Sequence, residues 1–223
     1  LVLAGLAGIG GLGLVLASMQ SASIPGVYGA FAGAILIWGW HEVGFLTGAV
    51  AGPRREPCPP DATGWDRFAH ASAAMAWHEI ALATTALLLI SLSWGAANQI
   101  AAMVFALLFV MRLSTKLAIY AGVPNMSTDI LPAHLDYLKS YFGPRRLTPL
   151  LVAAIAASIA LTAWLGSLAY AAPSGSAEAA GASLLCALAA LGALEHLFLA
   201  LPFRDGALWG WALPARRRDL PLS

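Results

Sequence analysis

Six apolar runs of helix length, separated by short stretches rich in glycine, proline and charge, set the pattern of this chain. They predict membrane helices at about 1–18, 27–50, 69–93, 99–121, 147–170 and 178–201, each near the roughly 20 residues that cross a hydrocarbon core. A membrane β-barrel would instead show segments of about 10 residues with alternating polarity, and no such alternation is present. The expected architecture is therefore all-α: a polytopic transmembrane helical bundle of about six spans, forming one domain over 1–223. No repeat of 20 to 50 residues and no low-complexity linker divides it.

Composition agrees with the pattern. The chain is 60% hydrophobic and only 10% charged, with a mean hydropathy of +0.77, far outside the range of a soluble domain. A net charge of +1 gives no case for a nucleic-acid partner. The positions of the charges say more than their sum. Outside the apolar runs, the basic residues fall in 51–68 (Arg54, Arg55, Arg67), in 122–146 (Lys139, Arg145, Arg146) and in the tail 202–223 (Arg204, Arg216, Arg217, Arg218). The connections 19–26, 94–98 and 171–177 carry no Lys or Arg. By the positive-inside rule, the basic loops and the C-terminal tail are expected to face the cytoplasm. The chain starts inside an apolar run without methionine, and an upstream N-terminal segment is expected.

Smaller signals refine the bundle. Gly29-xxx-Gly33 and Gly44-xxx-Gly48 place small residues one turn apart, a spacing that lets helices approach closely. Trp65, Trp94, Trp209 and Trp211 lie near expected boundaries, where indole rings favour the headgroup region. Cys58 in a polar loop and Cys186 in an apolar run are poorly placed to pair. Leu131, Leu135, Leu138 and Phe142 repeat at helical spacing. They predict an amphipathic segment at about 129–146 that lies on the membrane surface or packs on the loop 51–68, with His134 solvated.

The chemistry is concentrated in charged residues within the apolar runs: His41-Glu42, His78-Glu79, Glu195-His196, and Arg112 with Lys116. An ionisable group in lipid costs several kcal/mol unless it is paired, hydrated or bound. With a rise of 1.5 Å per residue, these groups sit about 9–15 Å inside the cytoplasmic boundary and form one layer. Lys116 is the member expected to reach out to the headgroups, leaving Arg112 as the main counter-ion. Three readings stand open. Glu42, Glu79, Arg112, Lys116 and Glu195 can form a structural polar network that holds the helices together. The six residues His41, Glu42, His78, Glu79, Glu195 and His196 can instead supply metal ligands, although adjacent His-Glu residues diverge by about 100° around a helix. In the third reading His41, His78 and His196 are ligands of a tetrapyrrole metal, flanked by Trp38, Trp40, Phe45, Trp77 and Phe198.

The strings WGWHEVGFLTGAVAGPRREPCPP (38–60), AWHEIALATT (76–85), RLSTKLAIYAGVPN (112–125), LPAHLDYLKSYFGPRR (131–146) and EHLFLALPFRDGALWGWAL (195–213) resemble the PuhE family of photosynthetic complex assembly proteins of purple phototrophic bacteria. The similarity runs over almost the whole chain. It implies a protein encoded beside the reaction-centre H subunit, needed for normal levels of the reaction centre and its light-harvesting 1 antenna, and affecting bacteriochlorophyll supply. It also implies about one further N-terminal helix and a location in the intracytoplasmic membrane. The family brings no settled catalytic residues. Its recurring His-Glu positions correspond to His41, Glu42, His78, Glu79, Glu195 and His196. The expected function is thus a non-enzymatic assembly factor that contacts reaction-centre and light-harvesting 1 subunits and membrane lipid, with bacteriochlorophyll as a candidate cofactor. The alternative is a membrane metalloenzyme acting on a pigment or isoprenoid precursor through the buried His and Glu groups.

Overall fold

The computed structural model of the chain describes residues 1–126 and 131–201. Within them are α1 (Val2–Ser18), α2 (Ile24–Leu46), α3 (Gly64–Leu92), α4 (Ile100–Ala121), a 3-10 helix (Ala133–Tyr141), α5 (Pro149–Ala171) and α6 (Ala177–Ala200). No strand occurs among the described residues. The basic tail expected at 202–223, with Trp209 and Trp211, lies outside them.

Helix starts follow the local chemistry. Ser23, Thr148 and Ser176 cap α2, α5 and α6, each hydroxyl accepting a backbone N–H three residues on at 3.0–3.4 Å. Prolines in the first turn of α2 and α5 lose no helical hydrogen bond there. Five helices, α2 to α6, are long and apolar enough to cross a membrane. α1, with 17 residues, is a shorter apolar helix, at the lower edge of the roughly 17–25 residues that cross a hydrocarbon core.

Sequence neighbours pair as hairpins, α1 with α2 and α5 with α6, while α4 occupies the centre and touches α2, α3, α5 and α6. Buried positions recur at three- and four-residue spacing: Ala30, Ala34 and Ile37 on α2, Leu82, Ala86 and Leu89 on α3, Leu185 and Ala189 on α6. That spacing gives each helix one inward stripe, and Val104 and Phe105 of α4 fill the space between the stripes. Lipid tails match leucine in polarity, so the bundle is held by close packing and interhelical polar contacts. The α1–α2 crossing illustrates the packing term. A Cβ added at Gly33 would lie 2.6 Å from the Gly11 carbonyl oxygen, so the two backbones touch only because both residues are glycine. Gly44-xxx-Gly48 makes no comparable face. α2 ends at Leu46, and Gly48 leaves the helix with φ +73°.

The largest departures from the expected boundaries occur around the loop 47–63. α2 stops at Leu46 rather than near 50, and α3 begins at Gly64 rather than near 69. The loop folds back onto α3: the His78 amide donates to the Ala51 carbonyl at 3.0 Å, a bond to a group outside the helix. In the described part of the segment expected at 129–146, the 3-10 helix packs on this loop, and the Cys58 amide donates to the Ser140 hydroxyl at 2.8 Å. Leu135, Leu138 and Tyr141 are its buried residues, so the period is three and Tyr141, not Phe142, faces the core. Tyr141 is tied in from several directions. Arg54 Nε donates to its hydroxyl at 2.9 Å, the hydroxyl donates to the Glu56 carbonyl at 2.9 Å, and Arg67 donates to its carbonyl at 2.7 Å. His134 is exposed. Trp65 and Trp94, at the two ends of α3, are each 83% exposed. Cys58 and Cys186 are unpaired.

Candidate functional site

Four helices bring the charged residues to one region of the bundle. Glu42 comes from α2, Glu79 from α3, Arg112 and Lys116 from α4, and Glu195 from α6. Arg112 is the hub. Its guanidinium reaches Glu42 Oε2 at 3.4 Å and Glu195 Oε1 at 3.9 Å, tying α4 to both α2 and α6. One turn along α4, Lys116 forms a short ion pair with Glu79 of α3. Its side chain is only 12% exposed and its Nζ lies 5.5 Å from the centroid of the Phe45 ring. Lys116 therefore points into the bundle, not out to the headgroups as its place near the helix end suggested. A carboxylate across the bundle offers the ammonium what a headgroup would otherwise supply.

The three histidines separate into three environments. His196 is fully buried and doubly engaged. Its Nδ1 donates to the Gly192 carbonyl oxygen at 2.7 Å, and its Nε2 shares a hydrogen bond with the Ser114 hydroxyl at 3.0 Å. His41 shares a hydrogen bond with Thr85 at 3.0 Å and packs beside Trp40 and Phe105. His78 is completely buried, with neither ring nitrogen hydrogen-bonded. It lies 4.6 Å from Phe45, ring to ring, and its Nε2 is 3.9 Å from Glu42 Oε1. Thr85, Ser114 and Phe105 were not singled out by the sequence reading. For Ser114 a signal existed, a hydroxyl between Arg112 and Lys116 in an otherwise apolar run.

Two cavities flank Arg112. One, of about 390 Å³, lies between α2, α4 and α6 and is lined by Trp38, Glu42, Met111, Arg112, Leu191 and Glu195 among others. The other, of about 660 Å³, is mostly apolar and lies between α3, α4, the end of α2 and the 3-10 helix. Glu79, Arg112, Thr115 and Lys116 form its polar part. None of His41, His78 or His196 lines either cavity. Of the three candidate axial ligands, His196 has both nitrogens hydrogen-bonded, the unpaired nitrogens of His78 are enclosed by packed side chains, and His41, partly exposed, has Nε2 engaged with Thr85. The metal reading meets a similar geometry. The six His and Glu residues do not converge, and among the described residues no three His, Cys, Asp or Glu side chains are grouped to hold an ion.

What the arrangement can do is bind helices together and present polar atoms to lipid-soluble molecules. Glu79→Gln keeps the shape of the side chain but removes the charge opposite Lys116. It is expected to destabilise the bundle by about 1–3 kcal/mol. The check is a lower melting temperature of the detergent-solubilised protein and less of it in the membrane. Unchanged stability would remove the structural role of this pair.

A family model described as "Protein of unknown function (DUF3623)" matches residues 1–219. A curated relative from Rhodobacter capsulatus, "Uncharacterized 30.4 kDa protein in puhA 5'region", is 38% identical over 208 residues, covering 93% of this chain and 75% of the relative. No solved structure matches. With the family model spanning nearly its whole length, and a relative of this identity covered so far, the chain belongs to the DUF3623 family.

Proposed function

We propose that this chain is an integral membrane accessory protein for the photosynthetic reaction centre and its light-harvesting 1 antenna, working by binding rather than by catalysis. The observation that carries the reading is the Rhodobacter capsulatus relative, whose description places it in the puhA 5' region. A gene position beside a reaction-centre subunit suits a protein that serves the same complex. Five helices long and apolar enough to cross a membrane suit a protein that would meet its clients within a bilayer. The basic loops 51–68 and 122–146 and the basic tail would face the cytoplasm of the intracytoplasmic membrane, where Lys139, Arg145 and Arg146 can meet acidic partner surfaces. Client contacts would be made by reaction-centre and light-harvesting 1 subunits at the exposed apolar flanks. The reading rests on protein and lipid contacts.

The test is an in-frame deletion in the native host, followed by near-infrared absorption of isolated membranes. The expected result is a several-fold loss of reaction-centre and light-harvesting 1 bands per membrane protein, restored by the gene in trans. Wild-type band intensities throughout growth would refute the reading. Copurification of tagged protein with reaction-centre subunits gives a second, independent check.

A further inference from the structure

Glu195 stands apart from the other charged groups of the layer because it faces outward. Its side chain is 45% exposed, on a flank that also exposes Leu191 and Leu194. Its ion pair with Arg112 is 3.9 Å long, well beyond the roughly 2.7–2.9 Å of a charge-assisted hydrogen bond. Among the described residues it makes no hydrogen bond. In water such a carboxylate would be ordinary, but on a membrane helix it lacks the solvent that would serve it. Nor does it lean toward headgroups. Glu195 lies before the end of α6 at Ala200 by about 8 Å at 1.5 Å per residue. The Cα–Cβ bonds of a helix tilt toward its N-terminus, which for Glu195 is away from that nearer end.

The surroundings fix the sign of what is missing. The cleft of about 390 Å³ between α2, α4 and α6 is lined by Glu42, Arg112 and Glu195, the rest being apolar residues and glycine. With neutral histidines, two carboxylates against one guanidinium leave this lining one negative charge in excess. Lys116 does not offset it, being paired with Glu79 outside the cleft. A second copy of the chain is a poor source of a cation. The Lys and Arg residues of α1 to α6 are Arg67, Arg112 and Lys116, already engaged with the Tyr141 carbonyl, Glu42 and Glu79. We infer that the cleft docks a membrane-spanning helix of a different protein, one that carries a lysine or arginine at the depth of Glu195. The cation enters the cleft and pairs with Glu195, and the helix packs across the mouth against Leu191 and Leu194. The volume, at the low end of binding sites, suits one long side chain and not a whole helix. The inference stands without the photosynthetic reading.

The experiment uses the full chain, donor-labelled, in phosphatidylcholine vesicles, with an acceptor-labelled leucine–alanine helix of about 22 residues as probe. The probe carries one lysine about 8 Å from one end, and copies carry norleucine or glutamate there. Energy transfer is expected to show the lysine helix binding about five- to thirtyfold tighter than the norleucine helix, as for one interhelical polar contact in lipid, with the glutamate helix weakest. This comparison needs no variant of the protein. Glu195→Gln should bring the lysine helix down to the norleucine level while norleucine binding and circular dichroism stay unchanged, which separates lost pairing from lost fold. Arg204→Gln, at the first Lys or Arg after α6, should change nothing. The inference is overturned if the norleucine helix binds as well as the lysine helix, or if Glu195→Gln still discriminates between them. It is also overturned if Arg204→Gln strengthens lysine-helix binding, which would make the chain's own tail the occupant, or if phosphatidylethanolamine added to the vesicles displaces the lysine helix, which would make a lipid ammonium the occupant.

Discussion

Arg112→Met is expected to be the most damaging substitution in the transmembrane region. It removes the one cation between Glu42 and Glu195 and leaves two carboxylates facing each other across α4. Breaking one side of a buried ion pair costs about 3–5 kcal/mol. The side chain is 33% exposed and Glu195 is 45% exposed, so the lower end, about 3 kcal/mol, is the appropriate figure. The measurement is the amount of folded protein in the membrane together with the melting temperature in detergent. The double variant Arg112→Met with Glu42→Gln should recover much of the loss, since it removes the uncompensated charge as well as the partner. Failure of the second change to rescue the first would mean that Arg112 acts through its packing, which includes walls of both cavities, rather than through charge.

The second large effect is expected at Gly52. A Cβ there would collide with the Ala73 carbonyl oxygen and lie 2.6 Å from that of Ala74. Both atoms belong to the α3 backbone and cannot swing away. Gly52→Ala must therefore lift the loop from the helix, taking with it the bond from the His78 amide to the Ala51 carbonyl and loosening the buried cluster that Ala51 shares with Phe45 and Leu135. Overpacking of this kind costs about 1–3 kcal/mol, sometimes more. A drop in melting temperature for Gly52→Ala checks it. Gly39→Ala serves as the control: nothing lies within 4 Å of its added Cβ, and alanine inside a helix is favoured over glycine by about 0.5–1 kcal/mol.

The helices were legible in the sequence because a lipid-facing helix is apolar all round, and an uninterrupted apolar run has few other interpretations. The 47–63 region was not. Its shape depends on Gly48 turning the chain and on Gly52 fitting against α3, and neither is visible in a hydropathy profile. The charged layer was legible as a set of costly residues at a common depth, but its pairing was not. Lys116 looked free to reach the headgroups because its position relative to the helix end was readable, whereas the location of Glu79 across the bundle was not. The histidines show the same limit. Their neighbours Thr85 and Ser114 lie on other helices, so only the packed bundle reveals that two of the three rings already have hydrogen-bond partners. The amphipathic segment at 133–141 was visible as a stripe, yet its period of three required the tight turn that brings Tyr141 beneath Arg54 and Arg67.

The cavity between α2, α4 and α6 has a further consequence. Leu191 and Glu195 belong to its lining and also lie on the exposed flank of the bundle, so a visitor would arrive by lateral diffusion within a leaflet, not from the aqueous phase. The concentration that governs occupancy is then a mole fraction of the bilayer. Doubling the amount of membrane at fixed visitor and protein would halve that fraction, without any change in bulk solution.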